Sequence, residues 1–175
     1  AARFLAGRSP GLYGMKAMIN AASAVTRLYV SEEEALVTLY RVPQAPESVS
    51  EVFRRIGEAK LMIDMISQTA PVDGQVNVSF TLARKHAETA ARVLRTLVQS
   101  VGTLEIKVRR DIAKIAVEGP GMETQSGVAS RVFDALAGRK IGILSVTTSE
   151  TKIALIIDRQ DLPEATAAVK QAFGL

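Results

Sequence analysis

The sequence predicts an α+β fold made of two βαββαβ units, each an antiparallel sheet with helices on one face. Three observations carry this expectation. Apolar residues recur at a period of two and then of 3.6, in the same order twice along the chain. The two halves also align as an internal repeat: Val52–Phe53 matches Val132–Phe133, Ile56 matches Leu136, and Ile63 matches Ile143. Finally, 175 residues, 47% of them hydrophobic, suffice for one ordinary domain or for two small ones sharing a core.

The elements follow in order. Val25–Thr26–Arg27–Leu28–Tyr29–Val30 is β-rich and stands ahead of the first unit. Leu36 to Tyr40 is a run of β-formers and reads as a strand. Pro43 and Pro46 mark Val42 to Ser48 as a loop. Val49, Val52, Phe53 and Ile56 then take helical spacing, with Gly57 near the end, where glycine suits a C-terminal cap. Leu61 to Ser67 is an apolar run, a buried strand. Asp73–Gly74 signals a hairpin turn. Val76, Val78 and Phe80 alternate with Asn77, Ser79 and Thr81 in the next strand. A helix over Lys85 to Gln99 carries Ala87, Ala91, Leu94 and Val98 on one side, and Thr103 to Arg109 alternates as a fourth strand.

The pattern then restarts. Lys114 to Glu118 is a strand, and Gly119–Pro120–Gly121 opens a loop running to Gly127. Ala129, Val132, Phe133 and Leu136 make a helical face. Ile141 to Thr147 and Lys152 to Asp158 are strands. Pro163 sits where the first turn of a helix tolerates it, and Ala165, Val169, Ala172 and Phe173 face one way. The second unit thus ends on a helix, one strand short, with an open sheet edge. The stretch Val25 to Val30 fills that gap if the first unit is inserted within the second.

Composition narrows the functions. The absence of cysteine excludes disulfides, thiolate metal sites and thiol catalysis, and it fits a reducing cytoplasm. A net charge of +4, without basic blocks, gives no footprint for nucleic acid. No apolar run reaches the ~18 residues of a membrane span. Residues 1–14 mix Arg3, Gly7, Arg8, Pro10 and Gly11 without a period and read as a linker or arm. No Gly-Lys-Ser phosphate loop occurs. Glu118 and Glu123 flank Gly119–Pro120–Gly121 and would repel a phosphate. His86, the one histidine, has no partner by spacing for acid–base work and reads as a surface residue. No catalytic residue, metal ligand or cofactor site is expected. Asp64 interrupts an apolar strand, either on a solvent face or as a contact for a ligand amine or an interface group. The loops before the first helix of each unit offer backbone N–H groups to a carboxylate, although Ser48 and Ser126 read more simply as N-caps.

The run from Lys114 to Asp158 resembles the C-terminal ACT domain of aspartate kinases. It carries Gly119-Pro120-Gly121-Met122, Gly127-Val128-Ala129 and Thr148-Ser149-Glu150-Thr151-Lys152-Ile153 where the family has its turn, helix start and hairpin. The first half is similar to the family's first ACT domain, through Val42-Pro43, Ile63 to Gln68, Asp73-Gly74 and Ser79-Phe80-Thr81. The resemblance covers Ala24 to Leu175.

It implies two ferredoxin-like βαββαβ ACT units: an arm at 1–24, a strand at 25–33 given to the second unit, a first unit at 34–110 and a second at 111–175. It implies a cytoplasmic regulatory region without a kinase site. Such a region binds lysine, threonine or diaminopimelate for feedback control, associates with a catalytic domain or subunit, and dimerises with the first unit of one chain against the second unit of the other. The effector residues it implies are Gln44, Ala45, Pro46, Glu47, Ser48, Met62, Ile63, Asp64 and Gln68 in the first unit. In the second they are Thr124, Gln125, Ser126, Gly127, Val128, Ala129, Gly142 and Ile143. The sequence departs from the family pattern at four of these. The family usually has Asp at Gln44, Gly at Glu47, and Asn at Met62 and Gly142. Two other readings compete: a dimerisation module without a ligand, and an RNA-binding split-βαβ module. The second needs clustered aromatics on an open sheet face, whereas Tyr40 and Phe80 are isolated.

Overall fold

The structure, a computed structural model, describes residues 24–101 and 105–175. The expected arm at residues 1–23 and the start of the fourth strand, Thr103 and Leu104, lie outside the described residues. The elements are β1 (Arg27–Ser31), β2 (Glu34–Pro43), α1 (Pro46–Glu58), β3 (Ile63–Gln68), β4 (Gln75–Ala83), α2 (Ala87–Val101), β5 (Glu105–Arg109) and β6 (Ile112–Glu118). They continue with α3 (Val128–Ala137), β7 (Ile143–Thr148), β8 (Lys152–Asp158) and α4 (Leu162–Phe173). Short 3-10 turns at Arg84–His86, Pro120–Glu123 and Arg159–Asp161 lead out of β4, β6 and β8.

The described residues form two four-stranded sheets, in the orders β3-β4-β2-β5 and β1-β6-β8-β7. Every neighbouring pair is antiparallel. This is the α+β architecture of two ferredoxin-like units. β1 pairs with β6 in the register Leu28 opposite Val117, so the strand ahead of the first unit closes an edge of the second unit's sheet. Ala24, grouped with the arm in the sequence reading, is fully buried in that unit's core.

Each sheet buries alternate residues under its helices. In the first unit Ala35, Val37 and Leu39 of β2 and Val76, Val78, Phe80 and Leu82 of β4 meet Val52 and Ile56 of α1 and Leu94 of α2. The Phe53 and Phe80 rings lie 6.0 Å apart and tilted. In the second unit Ala113, Ile115 and Val117 of β6 and Ile153, Leu155 and Ile157 of β8 meet Val132, Leu136, Val169 and Phe173. The opposite faces pack on each other: Leu36 and Met65 share a third cluster with Ile112, Ala116, Ala154 and Ile156. The face that a split-βαβ RNA binder leaves open is therefore covered by the chain's own second sheet.

Three local expectations need correction. The loop Val42 to Ser48 shrinks to Gln44 and Ala45, because Pro46 occupies the first turn of α1, where its fixed φ suits the helix and its missing N–H is not needed. Gly57 does not cap that helix; Ala59 does, and Lys60 takes the positive φ of 55° that turns the chain into β3. The expected helix from Lys85 begins as a 3-10 turn and becomes α-helical at Ala87. The hairpin turn at Asp73–Gly74 has both residues at positive φ, 50° and 71°, as an Asp-Gly turn requires. Among the described residues no helix is long and apolar enough to cross a membrane.

Candidate functional site

The first loop is held from below. The Gln44 N–H donates to the Gly74 carbonyl at 2.9 Å, which pins the loop beside the β4 end of the sheet. Ser48 is no cap: it lies inside the first turn of α1, its N–H donating to the Ala45 carbonyl at 2.9 Å. No side-chain oxygen caps α1. Gln44 to Glu47 are exposed at its positive end, with the Glu47 carboxylate among them.

The second loop is built differently. Pro120–Glu123 form a 3-10 turn, and the Gln125 N–H donates to the Gly121 carbonyl at 2.9 Å. Gly127, at φ 87°, is the residue before α3, and again no side chain caps the helix. Ser126 precedes that glycine, so its expected cap role does not hold either. Ser130 Oγ instead donates to the Gly127 carbonyl at 3.0 Å. Gly119 and Gly121 have a use that turn propensity did not reveal. A Cβ on Gly119 would lie 2.0 Å from the Ala24 carbonyl oxygen, and one on Gly121 would lie 2.7 Å from the Ala24 Cα. The loop lies against the chain leading into β1, and glycine permits that approach. The Gln125 Oε1 is buried there with no donor among the described residues.

Each sheet separates the candidate residues into two groups. Gln44 to Ser48 lie where β2 ends and β4 begins. Gln68 is at the same end, because β3 runs parallel to β2, with Gln68 opposite Val78 and Pro43 opposite Gln75. Met62, Ile63 and Asp64 start β3 at the far end, about 17 Å away along a six-residue strand. The second unit repeats this. Thr124, Gln125, Ser126, Gly127, Val128 and Ala129 follow the end of β6, while Gly142 and Ile143 start β7 at the other end. One chain by itself therefore does not bring a loop and a strand start of the same unit together.

β3 and β7 are both edge strands, and they stack on one side of the sandwich. Ser67 Oγ and Ser145 Oγ lie 3.1 Å apart, while Asp64 and Met65 share a cavity with Thr147 and Thr148. The two strands therefore run in opposite directions across the stack. Met62 is 87% exposed, Ile66 50% and Val146 37%, so this side presents apolar side chains on unpaired edges.

Of the expected roles of Asp64, the structure shows the interface group: it ties β3 to the second unit's sheet. Its carboxylate accepts from the Lys114 Nζ of β6, which also pairs with Glu34 of β2. Burial pulls the Lys114 ammonium down, but its hydrogen bonds to Asp64 and Glu34 and their charges outweigh this, and it stands above the usual lysine value. Arg109 of β5 ties to Asp158 of β8 in the same way, and Arg159 donates to the Glu32 carbonyl at 2.5 Å. Spacing within the sequence carried no signal for these ties, since their partners are 49 to 127 positions apart. Among the described residues no group of His, Asp or Glu is placed to hold a metal ion.

The ACT domain family matches residues 115–173. The chain is similar to an aspartate kinase of Pseudomonas fluorescens, 32% identical over 86% of this chain and 37% of the relative. It thus spans just over a third of the length of that curated relative. Among solved structures it is similar to the ligand-free regulatory subunit of aspartate kinase from Thermus thermophilus. That match has a TM-score of 0.80 and 31% identity, and covers 86% of this chain and 99% of the subunit. The aspartate kinase of Synechocystis superposes with a TM-score of 0.84 and 33% identity, over 88% of this chain and 28% of that one. With its two sheets, its inserted first unit and a match over nearly the whole of an aspartate kinase regulatory subunit, the chain belongs to the aspartate kinase family, as its regulatory ACT-domain part.

Proposed function

We propose that the chain senses an amino acid of the aspartate pathway (lysine, threonine or diaminopimelate) between two copies of itself, and passes that state to a catalytic domain or subunit of an aspartate kinase in the cytoplasm. The observation that carries this reading is the pair of edge strands β3 and β7, stacked on one side of the sandwich with Met62, Ile66 and Val146 exposed along them. Antiparallel pairing of β3 with the partner's β7 puts the end of one strand beside the start of the other. Gln44 to Ser48 and Gln68 then face Gly142 and Ile143 of the second copy. Thr124 to Ala129 face the second copy's Met62, Ile63 and Asp64. The same pairing removes two open edges and covers Ile66 and Val146. A ligand in such a seam binds the assembled state better than the separate chains, so it shifts the balance between arrangements. The working division of the chain is a strand at 25–33 given to the second unit, a first unit at 34–110 and a second at 111–175. Glu47 at the first loop, together with Gln44, Met62 and Gly142, gives the two seams different chemistry, which favours one effector over the others.

Sedimentation at micromolar concentration, alone and with each of the three amino acids, tests this. A dimer tightened by one of them is expected. A monomer at every concentration rules out the seam, and a dimer indifferent to all three reduces the chain to a dimerisation module.

A further inference from the structure

The seam uses the β3 edge of the first sheet. β5 forms the opposite edge, about 14 Å away across three strand spacings. Among the described residues β5 pairs with β2 alone. The register runs from Leu36 opposite Arg109 to Tyr40 opposite Glu105, with no bulge to twist the edge away. The outer backbone groups of β5 are therefore open to another strand. A groove of about 560 Å³ lies between this edge and α2. Ile106 and Val108 of β5 and Ala91 and Val98 of α2 form its floor. Ile106, Val108 and Val98 are half-buried, packed on the first unit's core from within. The helix wall is cationic. Glu88 is held by Arg110 at 2.8 Å. Arg95 lines the groove, and Arg92 precedes it by one turn on the same surface. Both are exposed, and neither makes an ion pair among the described residues. At the edge itself the exposed Glu105 and Lys107 cancel in charge.

We propose that the groove between β5 and α2 is a docking surface for an extended acidic segment of another protein, which joins the first sheet as a fifth strand. The segment's backbone bonds to the open edge of β5, and every second side chain enters the groove. There an apolar side chain covers Ile106 and Val108, and a carboxylate meets Arg95 or Arg92. Each observation excludes an occupant. A helix or a small acid leaves the edge groups of β5 unmet. A basic segment sets like charge against Arg95. A second copy of this chain brings Arg92 and Arg95 again, while its own Glu88 is held by Arg110. The surface is independent of the seam, because β5 keeps its open edge whether or not β3 is paired.

The test titrates the 175-residue chain with the capped peptide Thr-Glu-Thr-Val-Thr-Glu-Thr, by calorimetry and by amide spectra. The valine and both glutamates of this probe share one face. It is expected to bind at one per chain and to shift the amides of Glu105 to Arg109 and of Ala91 to Val98. A probe with lysine in place of both glutamates should bind at least tenfold more weakly, as should the glutamate probe on the double variant Arg92→Glu/Arg95→Glu. Both arginines are exposed, so this variant folds and reports on charge alone. Two further probes are N-methylated, one at the odd residues and one at the even. One of them loses the donors that face β5 and should bind at least tenfold more weakly. The Ile66→Lys protein should keep the binding, which separates this surface from the seam. No binding at millimolar probe, amide shifts elsewhere, equal binding of the lysine probe, or full affinity in the double variant overturns the proposal. So does full affinity of both N-methylated probes, the same shifts with valerate alone, or a dimer of Ile66→Lys that the probe does not displace.

Discussion

Lys114 is the side chain on which the two units share charge. It stands on β6, yet both its partners, Glu34 and Asp64, belong to the first unit. Replacing it with Met leaves Glu34 buried without a cation, and a cost of about 3 kcal/mol is expected by urea unfolding. The pair replacement Lys114→Met/Glu34→Leu should cost much less, because no buried charge is left over. Since the folded Lys114 is held above the usual lysine value, its contribution is fully present below that value. It is lost only as pH rises through the higher folded one. Wild type should therefore show an alkaline loss of stability that Lys114→Met lacks. The glycines sort by the same kind of test. Gly119→Ala places a Cβ against the Ala24 carbonyl and should cost at least about 2 kcal/mol. At Gly142 a Cβ meets nothing within 4 Å, and Gly142→Ala should stay within about 0.5 kcal/mol. Little of this was legible in the sequence. Gly119 reads as a turn residue because turn chemistry is local, whereas the backbone it admits lies 95 positions earlier. Asp64 was suspicious for the right reason, a carboxylate in an apolar strand, but its cation is 50 positions away. Ser48 and Ser126 were misread because a proline and a glycine set the two helix starts.

At the scale of elements, β1 makes the second unit depend on residues ahead of the first. Deleting residues 1–31 should strip hydrogen-exchange protection from Ile112–Glu118 and Lys152–Asp158 while Gln75–Ala83 keeps its own. Equal loss in both sheets would mean that the units share one cooperative core. Element types and order were readable because each strand alternates and each helix carries its stripe. The stacking of the sheets was also written there, less openly. Ile153-Ala154-Leu155-Ile156-Ile157 has no polar alternate, which is the mark of a strand buried on both faces. The repeat was legible in position but not in burial. Val52 and Val132 are both buried, while Phe53 packs on Phe80 and Phe133 is 39% exposed. The groups at strand starts and loop ends could be named one by one, but strand direction decides which of them meet, and direction needs the sheet order.

For the whole molecule, the stacked edges β3 and β7 set the expected assembly. Ile66→Lys puts a charge on the exposed edge of β3 and should abolish dimers in sedimentation while leaving the unfolding midpoint of the chain nearly unchanged. The chain alone is expected to form no aspartyl phosphate from aspartate and ATP, which a phosphate-release assay checks directly.

The pairing of β1 with β6 also decides how the molecule answers to a pull. Tension applied between Ala24 and Leu175 enters the second unit at both ends. It passes across the β1–β6 ladder, which bypasses everything from Glu34 to Arg109. The inserted unit is slack until that ladder peels, and only then does the load run through it. Rupture should follow the order of connectivity, outer unit before inner, even if the inner unit is the weaker of the two.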